Sequence, residues 1–374
     1  MSFTGRQIRS TLDASGTLEL TLDTVETADP GDDEIVVRVE ATPINPSDLG
    51  LMVGPADVAT VTVLGADRAG LRFDVPVQRL ARVKGRLGEA MAIGNEGAGT
   101  VIAAGTDAKN LLGRRVAMIG GAMFADYRKI RAADVIPLPD DATAADGAAL
   151  FINPLTALGF VETARRDGHR AIVHTAAASN LGLMLQKICL ADNIPLVNIV
   201  RSEPQVQALR GIGAAHVLNS RATDFPTRLE QAIAETGATV AFDPIGGGSL
   251  GSDIMATMER AAVSRMTSYS RYGSNEFKQL YVYGALDPRP ITLDRLSFGF
   301  QWSVSGWLLF PFMNKASPEV AGRLRKRVVD EMKTTFASRY TRVIGLAQAL
   351  DPAVFSAYEK KATGEKVLID PTQG

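Results

Sequence analysis

A short apolar run, a cluster of small residues and a helical pattern follow one another in the stretch Ala171-Ile-Val-His-Thr-Ala-Ala-Ala-Ser-Asn-Leu-Gly-Leu-Met-Leu-Gln-Lys-Ile-Cys189. The apolar run predicts a strand, and apolar spacings of three and four from Leu181 to Cys189 predict a helix. Residues 196–200 predict the next strand. A strand, tight turn and helix of this kind aim the unpaired N–H groups of a helix N-terminus at a phosphate. The stretch therefore predicts the first βαβ unit of a dinucleotide-binding site.

The turn departs from the usual fingerprint Gly-x-Gly-x-x-Gly, since only Gly182 remains and Ala178, Ser179 and Asn180 occupy the turn. Ala and Ser are small enough for close approach of the backbone, and Asn tolerates left-handed dihedral angles. An ordinary βα turn of a parallel α/β protein is the alternative interpretation of the same residues. This motif alone does not decide between the two.

The composition is typical of a folded α/β enzyme. The chain has 374 residues, a length that is enough for two domains. Of these residues, 46% are hydrophobic and 22% are charged, as in soluble globular proteins. A net charge of −1 gives no electrostatic basis for binding nucleic acid or an anionic membrane. One cysteine, Cys189, excludes an internal disulfide bond. The N-terminus is polar and the most apolar stretch, residues 298–313, is too short and too polar to span a bilayer. A soluble, cytoplasmic protein is predicted.

The sequence pattern changes after about residue 140. Before that point, short β-forming runs separated by turn signals predict a small barrel. From Ala171 onward, predicted strands alternate with predicted helices, which indicates a doubly wound parallel sheet. Residues 51–88 show no clean period and are predicted to be a loop region or an insertion. Residues 302–310 are predicted to be a final edge strand.

Ten segments, in one order along the chain, carry a resemblance to a known family. They are residues 37–48, 94–101, 113–116, 151–157, 174–182, 209–217, 242–247, 283–286, 306–307 and 366–368. In this order they resemble the medium-chain dehydrogenase/reductase superfamily, in its zinc-independent quinone oxidoreductase and enoyl reductase branch. The resemblance implies an α/β protein with a GroES-like β-barrel catalytic domain (residues 1–146 and 315–374) and a Rossmann doubly wound parallel-sheet domain (residues 147–314). It also implies a homodimer, which the edge strand at residues 302–310 would form.

No metal site is predicted. Zinc-dependent relatives have a Cys where this chain has Asn45 and a His where it has Asn95, and a carboxamide is a poor zinc ligand. The three histidines, His169, His174 and His216, are not at ligand spacing with one another.

Without zinc, hydride delivery to a quinone or conjugated alkene remains feasible, because the acceptor delocalises its own charge and needs only positioning and a hydrogen bond. Asn45 is the predicted donor of that hydrogen bond. Capping of the turn before Pro46 is the alternative role of Asn45. Tyr127 is a spare candidate for the proton donor.

The end of the second predicted strand indicates the cofactor. NAD-specific sites place an acid there, whereas this chain has Arg201 and Ser202. A guanidinium and a hydroxyl suit the 2′-phosphate of NADPH, so NADPH is predicted over NADH. A shift of two residues would put Glu203 there instead, and a solvated Arg201 is the other interpretation. Arg221, after the third strand, is a second candidate for the phosphate.

The resemblance implies further cofactor contacts. Thr156 would approach the nicotinamide, and Tyr283, Gly284 and Ala285 would lie over it. The remaining implied cofactor residues are Asn45, Ala178, Ser179, Asn180, Leu181 and Lys366, of which Ala178 to Leu181 would line the pyrophosphate.

The predicted function is that of an NADPH-dependent oxidoreductase that transfers a hydride to a small quinone or α,β-unsaturated carbonyl compound. An enoyl thioester reductase is one alternative; the absence of a tyrosine from residues 49–64 and of an obvious basic run for a carrier counts against it. A sensor or structural protein that binds NADPH without turnover is the other alternative.

Overall fold

The fold is known from a computed structural model that describes residues 2–65, 68–360 and 364–373. Its strands are β1 (Phe3–Leu12), β2 (Thr17–Thr27), β3 (Glu34–Pro43), β4 (Asp57–Val63), β5 (Gly70–Asp74), β6 (Ala90–Ala92), β7 (Glu96–Ala104), β8 (Arg115–Ile119), β9 (Tyr127–Arg131), β10 (Val135–Pro137), β11 (Ile172–His174), β12 (Leu196–Val200), β13 (His216–Asn219), β14 (Val240–Asp243), β15 (Lys278–Val282), β16 (Trp302–Gly306), β17 (Arg342–Ile344) and β18 (Val367–Ile369). Its α-helices are α1 (Pro46–Val53), α2 (Val77–Leu80), α3 (Ala144–Gly147), α4 (Ile152–Arg166), α5 (Asn180–Ala191), α6 (Glu203–Arg210), α7 (Phe225–Thr236), α8 (Leu250–Val263), α9 (Leu309–Lys315), α10 (Pro318–Asp330) and α11 (Pro352–Glu359).

The chain forms two compact units, Met1–Ile152 with Glu331–Gly374 and Asn153–Asp330. The predicted boundaries, after residues 146 and 314, lie earlier along the chain. The second observed boundary, after Asp330, lies later than predicted because helix α10 belongs to the second unit. Its Arg323 and Arg327 pair with Glu162 and Asp192 of that unit, each at 2.9 Å.

The first unit contains two sheets. One has the order β4-β5-β2-β1-β6, and the other has the order β10-β8-β7-β3-β18-β17, with β9 also paired to β3. The prediction of a loop region at residues 51–88 is wrong for β4 and β5. Strand β5 pairs with β2, and its Leu71 and Phe73 are fully buried in the core, so tertiary packing imposes the strand where the local sequence pattern is weak.

Strand β3 positions the functional residues of the first unit. It lies between β7 and β18, with Leu368 of β18 opposite Pro43. Two residues beyond β3, Asn45 is the N-cap of helix α1, whose first residue is Pro46. A proline at the first helical position has its φ already set for the helix. The end of β3, the start of β7 and the start of β18 therefore meet in one place.

The second unit is a six-stranded parallel sheet in the order β13-β12-β11-β14-β15-β16. The order reverses between β11 and β14, as in doubly wound folds. Every residue of β11, β12 and β14 is buried, which is expected of strands covered on both faces. The predicted edge strand is shorter than expected, because β16 ends at Gly306 and helix α9 begins at Leu309.

One helical segment, Ala144–Arg166, is long and apolar enough to cross a membrane by length and composition alone. The protein buries 72% of its most apolar window, and core helices pass the same test.

Candidate functional site

The turn between β11 and α5 is closely packed. The Ser179 hydroxyl accepts a hydrogen bond from the Gly182 N–H at 3.1 Å and caps the helix. A Cβ added to Gly182 would lie 2.1 Å from the Ala177 carbonyl oxygen, so only glycine allows this approach. Ala176 has a φ of 48°, in the left-handed region that usually requires glycine. The turn has thus kept its geometry although most of the fingerprint glycines are absent.

This turn fits a pyrophosphate group. Asn180 Nδ2 is buried and has no hydrogen-bond partner among the residues that the structure describes. It lies in the first turn of α5, where the backbone N–H groups are also unpaired by the helix and the dipole favours an anion. Predicted pyrophosphate residues Ala178 to Leu181 all belong to this turn or to the start of α5. An unpaired buried donor beside a helix N-terminus is a suitable site for a phosphate oxygen.

Two arginines follow neighbouring strands of the same sheet edge. Arg201 comes directly after β12, and Arg221 comes two residues after β13, whose last residue lies opposite Val200. Both side chains are exposed, and neither forms an ion pair within the described part of the chain. The register left open by the sequence is resolved, since Glu203 lies in helix α6 and accepts a hydrogen bond from Gln207. The strand end presents a cation, which suits the 2′-phosphate of NADPH.

Ser202 is the N-cap residue of α6 and makes no side-chain capping hydrogen bond. Its role at the 2′-phosphate, beside Arg201, stays a prediction.

A buried carboxylate that sequence reasoning missed supports the central strands. Asp243, at the end of β14, accepts hydrogen bonds from the Thr175 hydroxyl and from the N–H groups of Ile245 and Gly246, the last two at 2.9 and 3.0 Å. It ties the end of β11 to the turn after β14. The sequence signal was an acid ending an apolar strand before Pro-Ile-Gly-Gly.

Tyr283, one residue beyond β15, is held by a histidine. Its hydroxyl and Nε2 of the fully buried His174 are 2.8 Å apart. Burial lowers the pKa of His174 to about 3 and raises that of Tyr283 well above its usual value, so both groups are neutral. Gly284 and Ala285 follow directly along the chain.

Helix α4 packs on the same aromatic cluster. The Phe160 ring stacks on Phe242 with centroids 4.1 Å apart and lies 4.8 Å from the Tyr283 ring. Thr156 precedes Phe160 by one helical turn and therefore shares its face. The second unit thus brings Thr156 and Tyr283 to the same side of the sheet.

In the first unit, Asn45 is paired with a buried carboxylate. Asn45 Nδ2 donates to Glu96 Oε1 at 2.9 Å, and Glu96 Oε2 accepts from the N–H groups of Phe151 and Ile152, both at 2.9 Å. Asn45 is also the N-cap of α1, the alternative role predicted from the sequence. One of the two amide hydrogens of Asn45 is therefore directed at Glu96, and the role of Asn45 towards a substrate carbonyl stays a prediction.

Two more ionisable groups surround Glu96. Asp48 is fully buried and accepts from the N–H groups of Asn45 and Asn95 at 2.7 and 2.8 Å; burial, opposed by these bonds, raises its pKa to about 7. Lys366 Nζ donates to Ser338 Oγ at 3.1 Å, and burial lowers its pKa to about 8 against the attraction of Glu96 and Asp48. Burial also raises the pKa of Glu96, while Lys366 and the three donated hydrogen bonds lower it.

The structure does not bring Tyr127 to this cluster. Tyr127 begins β9 opposite Arg38 of β3, and its ring packs on Phe3 with centroids 5.6 Å apart. Since a strand rises about 3.3 Å per residue, Arg38 and Asn45 are roughly 20 Å apart along the chain. A direct proton transfer from Tyr127 to a group held by Asn45 is therefore inconsistent with this placement.

Within residues 2–65, 68–360 and 364–373, no group of three or more His, Cys, Asp or Glu side chains is arranged to hold a metal ion. The absence of a metal site stays a prediction, and so do the roles of the individual site residues.

Comparison with known proteins identifies the first unit. Residues 31–140 match the alcohol dehydrogenase GroES-like domain. The chain is 25% identical to mouse prostaglandin reductase-3 over 239 residues, 63% of this chain and 55% of that protein, so it spans about half the length of this relative. It is 24% identical to the mitochondrial enoyl-[acyl-carrier-protein] reductase of Xenopus tropicalis over 291 residues, 73% of this chain and 68% of that protein.

Solved structures match over 98% of the chain. A candidate NADPH:quinone reductase from Mesorhizobium loti is 25% identical, with a TM-score of 0.73 and coverage of 98% of each chain. Escherichia coli quinone oxidoreductase, solved with NADPH, is 18% identical, with a TM-score of 0.69 over 98% of this chain and 100% of that chain. These matches confirm the predicted fold class and the resemblance to the medium-chain dehydrogenase/reductase superfamily.

Proposed function

We propose that this chain, a medium-chain dehydrogenase/reductase by fold and by its GroES-like domain, transfers a hydride from NADPH to a small quinone or α,β-unsaturated carbonyl compound. One observation carries the proposal: the carboxyl edge of the parallel sheet presents a helix N-terminus with an unpaired Asn180 amide, beside the unpaired guanidinium groups of Arg201 and Arg221. The relatives support it, since they include a quinone oxidoreductase, a prostaglandin reductase and an enoyl reductase.

When bound, NADPH supplies the hydride, and one proton from water completes the reduction of the acceptor. The chain's own residues bind and orient the cofactor. The N-terminus of α5 and Asn180 hold the pyrophosphate, and Arg201 and Arg221 pair with the 2′-phosphate. Tyr283, fixed by its hydrogen bond to the neutral His174, gives the nicotinamide side a rigid wall.

A fluorescence titration with NADPH and with NADH tests the cofactor assignment. We expect Arg201→Ala and Arg221→Ala each to weaken NADPH binding about 10-fold, because a charge-assisted hydrogen bond contributes about 1.5–3 kcal/mol, while NADH binding is unchanged. Arg210→Ala, at the exposed far end of α6, is the matched control. Equal loss for both nucleotides, or none, would contradict the assignment.

Addition of a small quinone and of a conjugated enal to the NADPH complex then tests turnover. Oxidation of NADPH by either acceptor supports the reductase. Tight binding without oxidation by any acceptor supports the alternative of an NADPH-binding sensor. We propose that turnover needs no zinc, so dialysis against a chelator should leave the rate unchanged.

A basic segment, at odds with the expected absence of a basic run, favours enoyl thioesters as a second candidate substrate class. Residues 75–88 contain Arg79, Arg82, Lys84 and Arg86 and no acid. Arg86 is anchored to the Ser10 hydroxyl at 2.8 Å. Arg82 and Lys84 are exposed, and none of the four cations pairs with a carboxylate of the described residues. Such a surface suits the phosphates of an acyl-coenzyme A.

Crotonyl-CoA and crotonaldehyde form a matched pair of probes for this candidate, since only the thioester carries phosphates. If the segment binds them, Arg82→Glu with Lys84→Glu should raise KM for crotonyl-CoA about 10-fold and leave KM for crotonaldehyde unchanged, with a KM that rises with salt. A KM for crotonyl-CoA that is the same in the variant and the parent would exclude the segment.

We also propose a homodimer formed through β16, the edge strand of the second unit's sheet. The exposed Leu308 and Phe310 follow it directly, and an uncovered apolar edge invites pairing with a second chain. Light scattering that gives the mass of a monomer would contradict this. A cytoplasmic location also stays a proposal, which cell fractionation tests.

A further inference from the structure

Ala176 keeps its left-handed backbone conformation in a turn that is attached to both neighbouring strands. Its φ of 48° lies where alanine is disfavoured. The Thr175 N–H donates to the Phe242 carbonyl oxygen at 3.2 Å. On the other side, the Ala177 N–H donates to the Ile199 carbonyl oxygen at 3.1 Å. These bonds join the turn to β14 and β12, which flank β11. A residue keeps such a φ only where its surroundings over-determine it, so the contacts around Ala176 decide the shape of the turn.

A buried side-chain hydrogen bond fixes the residue that leads into this turn. The Thr175 hydroxyl donates to the Asp243 carboxylate, and both residues are almost completely buried. A hydrogen bond to a charged acceptor is stronger than one between neutral groups. Asp243 is itself held by the N–H groups of Ile245 and Gly246. Because the branched Cβ of threonine restricts its χ1, a fixed hydroxyl also fixes the direction in which the backbone enters Ala176.

The conformation of Ala176 determines where helix α5 begins. Its carbonyl oxygen accepts a hydrogen bond from the Ser179 N–H at 3.0 Å, and the Ser179 hydroxyl in turn caps the helix. The next residue is Asn180, whose amide nitrogen is buried and unpaired within the described part of the chain. A change of φ at Ala176 would therefore move Asn180 and the backbone N–H groups that can bind an anion.

From these contacts we infer that Thr175 and Asp243 are positioning residues for the pyrophosphate of a dinucleotide, because their hydrogen bond holds Ala176 in the left-handed conformation. In the usual fingerprint, glycine makes the tight turn without support. This chain has alanine at the strained position and supplies the support from the neighbouring strand. Thr175 and Asp243 act through Ala176 and Asn180 and not by contact with the nucleotide. The inference rests on the proposed function only in taking a dinucleotide as the ligand.

Two substitutions at position 175 separate the hydroxyl from the shape of the side chain. Thr175→Val keeps the branched Cβ and removes the donor, whereas Thr175→Ser keeps the donor. Without the bond, Ala176 leaves the left-handed region, and the apparent Kd rises as the binding-competent turn is depleted. We expect fluorescence titrations of Thr175→Val to give a Kd about 10-fold higher, for NADPH and NADH alike, since both contain the pyrophosphate. The Kd of Thr175→Ser should stay within about 3-fold of the parent value.

Thr239→Val is the matched control. Thr239 lies directly before β14, at the opposite end of that strand from Asp243, and its hydroxyl forms a hydrogen bond with His169 Nδ1 at 2.7 Å. This variant also loses one hydroxyl bond beside the same strand, but its Kd should stay within about 2-fold of the parent value. Ala176→Gly supplies the rescue. Glycine needs no support at this φ, so adding Thr175→Val to Ala176→Gly should raise the Kd by less than about 3-fold.

Unfolding midpoints test the Thr175–Asp243 pair without any nucleotide. In the parent chain, Ala176→Gly removes the crowding of a left-handed alanine and should raise the midpoint by about 2–4 °C. In Thr175→Val the alanine is free to relax, so the same substitution only adds conformational entropy to the unfolded chain and should lower the midpoint. This reversal of sign is expected even if the parent chain binds no nucleotide and the proposed function fails.

Three results would overturn the inference. The first is a Kd of Thr175→Val that is no higher than that of the parent chain or of Thr239→Val. The second is a loss of affinity in Thr175→Val that Ala176→Gly does not reduce, which would mean that the hydroxyl acts by another route. The third is an equal rise of the midpoint on Ala176→Gly in the parent chain and in Thr175→Val, which would mean that the bond to Asp243 does not hold Ala176.

Discussion

Ala176 is held in a conformation that alanine disfavours, and its replacement by glycine should stabilise the protein. Its φ of 48° lies in the left-handed region, where the Cβ of an L-residue crowds the following carbonyl oxygen at a cost of about 1–2 kcal/mol. Glycine removes that crowding but loses about 0.4–1 kcal/mol more conformational entropy on folding. Ala176→Gly should therefore raise the free energy of unfolding by about 0.5–1 kcal/mol.

Thermal unfolding of the full chain, followed by circular dichroism, measures this effect. A gain of about 1 kcal/mol corresponds to a rise of about 2–4 °C in the midpoint for a unit of this size. Ala178→Gly is the matched control, since Ala178 lies in the same turn without a positive φ, and its midpoint should fall. An unchanged or lower midpoint for Ala176→Gly would refute the argument that the turn is strained.

Two further predictions concern the turn and the buried lysine. Gly182→Ala puts a Cβ 2.1 Å from the Ala177 carbonyl oxygen, so we expect the free energy of unfolding to fall by about 2–3 kcal/mol in a denaturant titration, together with weaker NADPH binding. The control is Gly50→Ala in helix α1, where an added Cβ has nothing within 4 Å and should stabilise the protein by about 1 kcal/mol. Equal effects of the two substitutions would contradict the steric explanation. Burial lowers the pKa of Lys366 from 10.5 to about 8, so between these values the unfolded chain binds a proton that the folded chain does not. The free energy of unfolding should thus rise by about 2 kcal/mol from about pH 7.5 to about pH 9.5. Lys366→Met should lack this rise in the same denaturant titrations, and an identical pH dependence in both chains would show that Lys366 is protonated throughout.

The parallel-sheet unit could be predicted from the sequence because its signals are local. The turn before α5, the apolar strands and the cation after β12 lie within about thirty consecutive residues, and the doubly wound order follows from the alternation of strands and helices. Even the open choice between Arg201 and Glu203 depended only on where one strand ends. The structure ends β12 at Val200 and puts Glu203 into a helix.

The cluster around Asn45 could not be predicted in the same way. Glu96 and Lys366 are distant in sequence, and they meet only because β7 and β18 both pair with β3. The hydrogen bond that Asn45 Nδ2 donates to Glu96 is a product of this pairing, and the motif around Asn45 contains no trace of it. Strand β5 escaped prediction for a related reason, since its pairing with β2 and not its own pattern makes it a strand. Tyr127 was a candidate proton donor by residue type alone, because the sequence gives no information on its distance from Asn45.

The first unit is assembled from two separate stretches of the chain, Met1–Ile152 and Glu331–Gly374. Strand β18, with Lys366 directly before it, is made only after the whole of the second unit, which occupies one continuous stretch, Asn153–Asp330. During synthesis, the second unit therefore leaves the ribosome with all its residues while Glu96 and Asp48 still lack Lys366. Until β17 and β18 have been made, these two buried acids have no compensating lysine, so we expect the emerging first unit to stay open to water and to close when β18 pairs with β3.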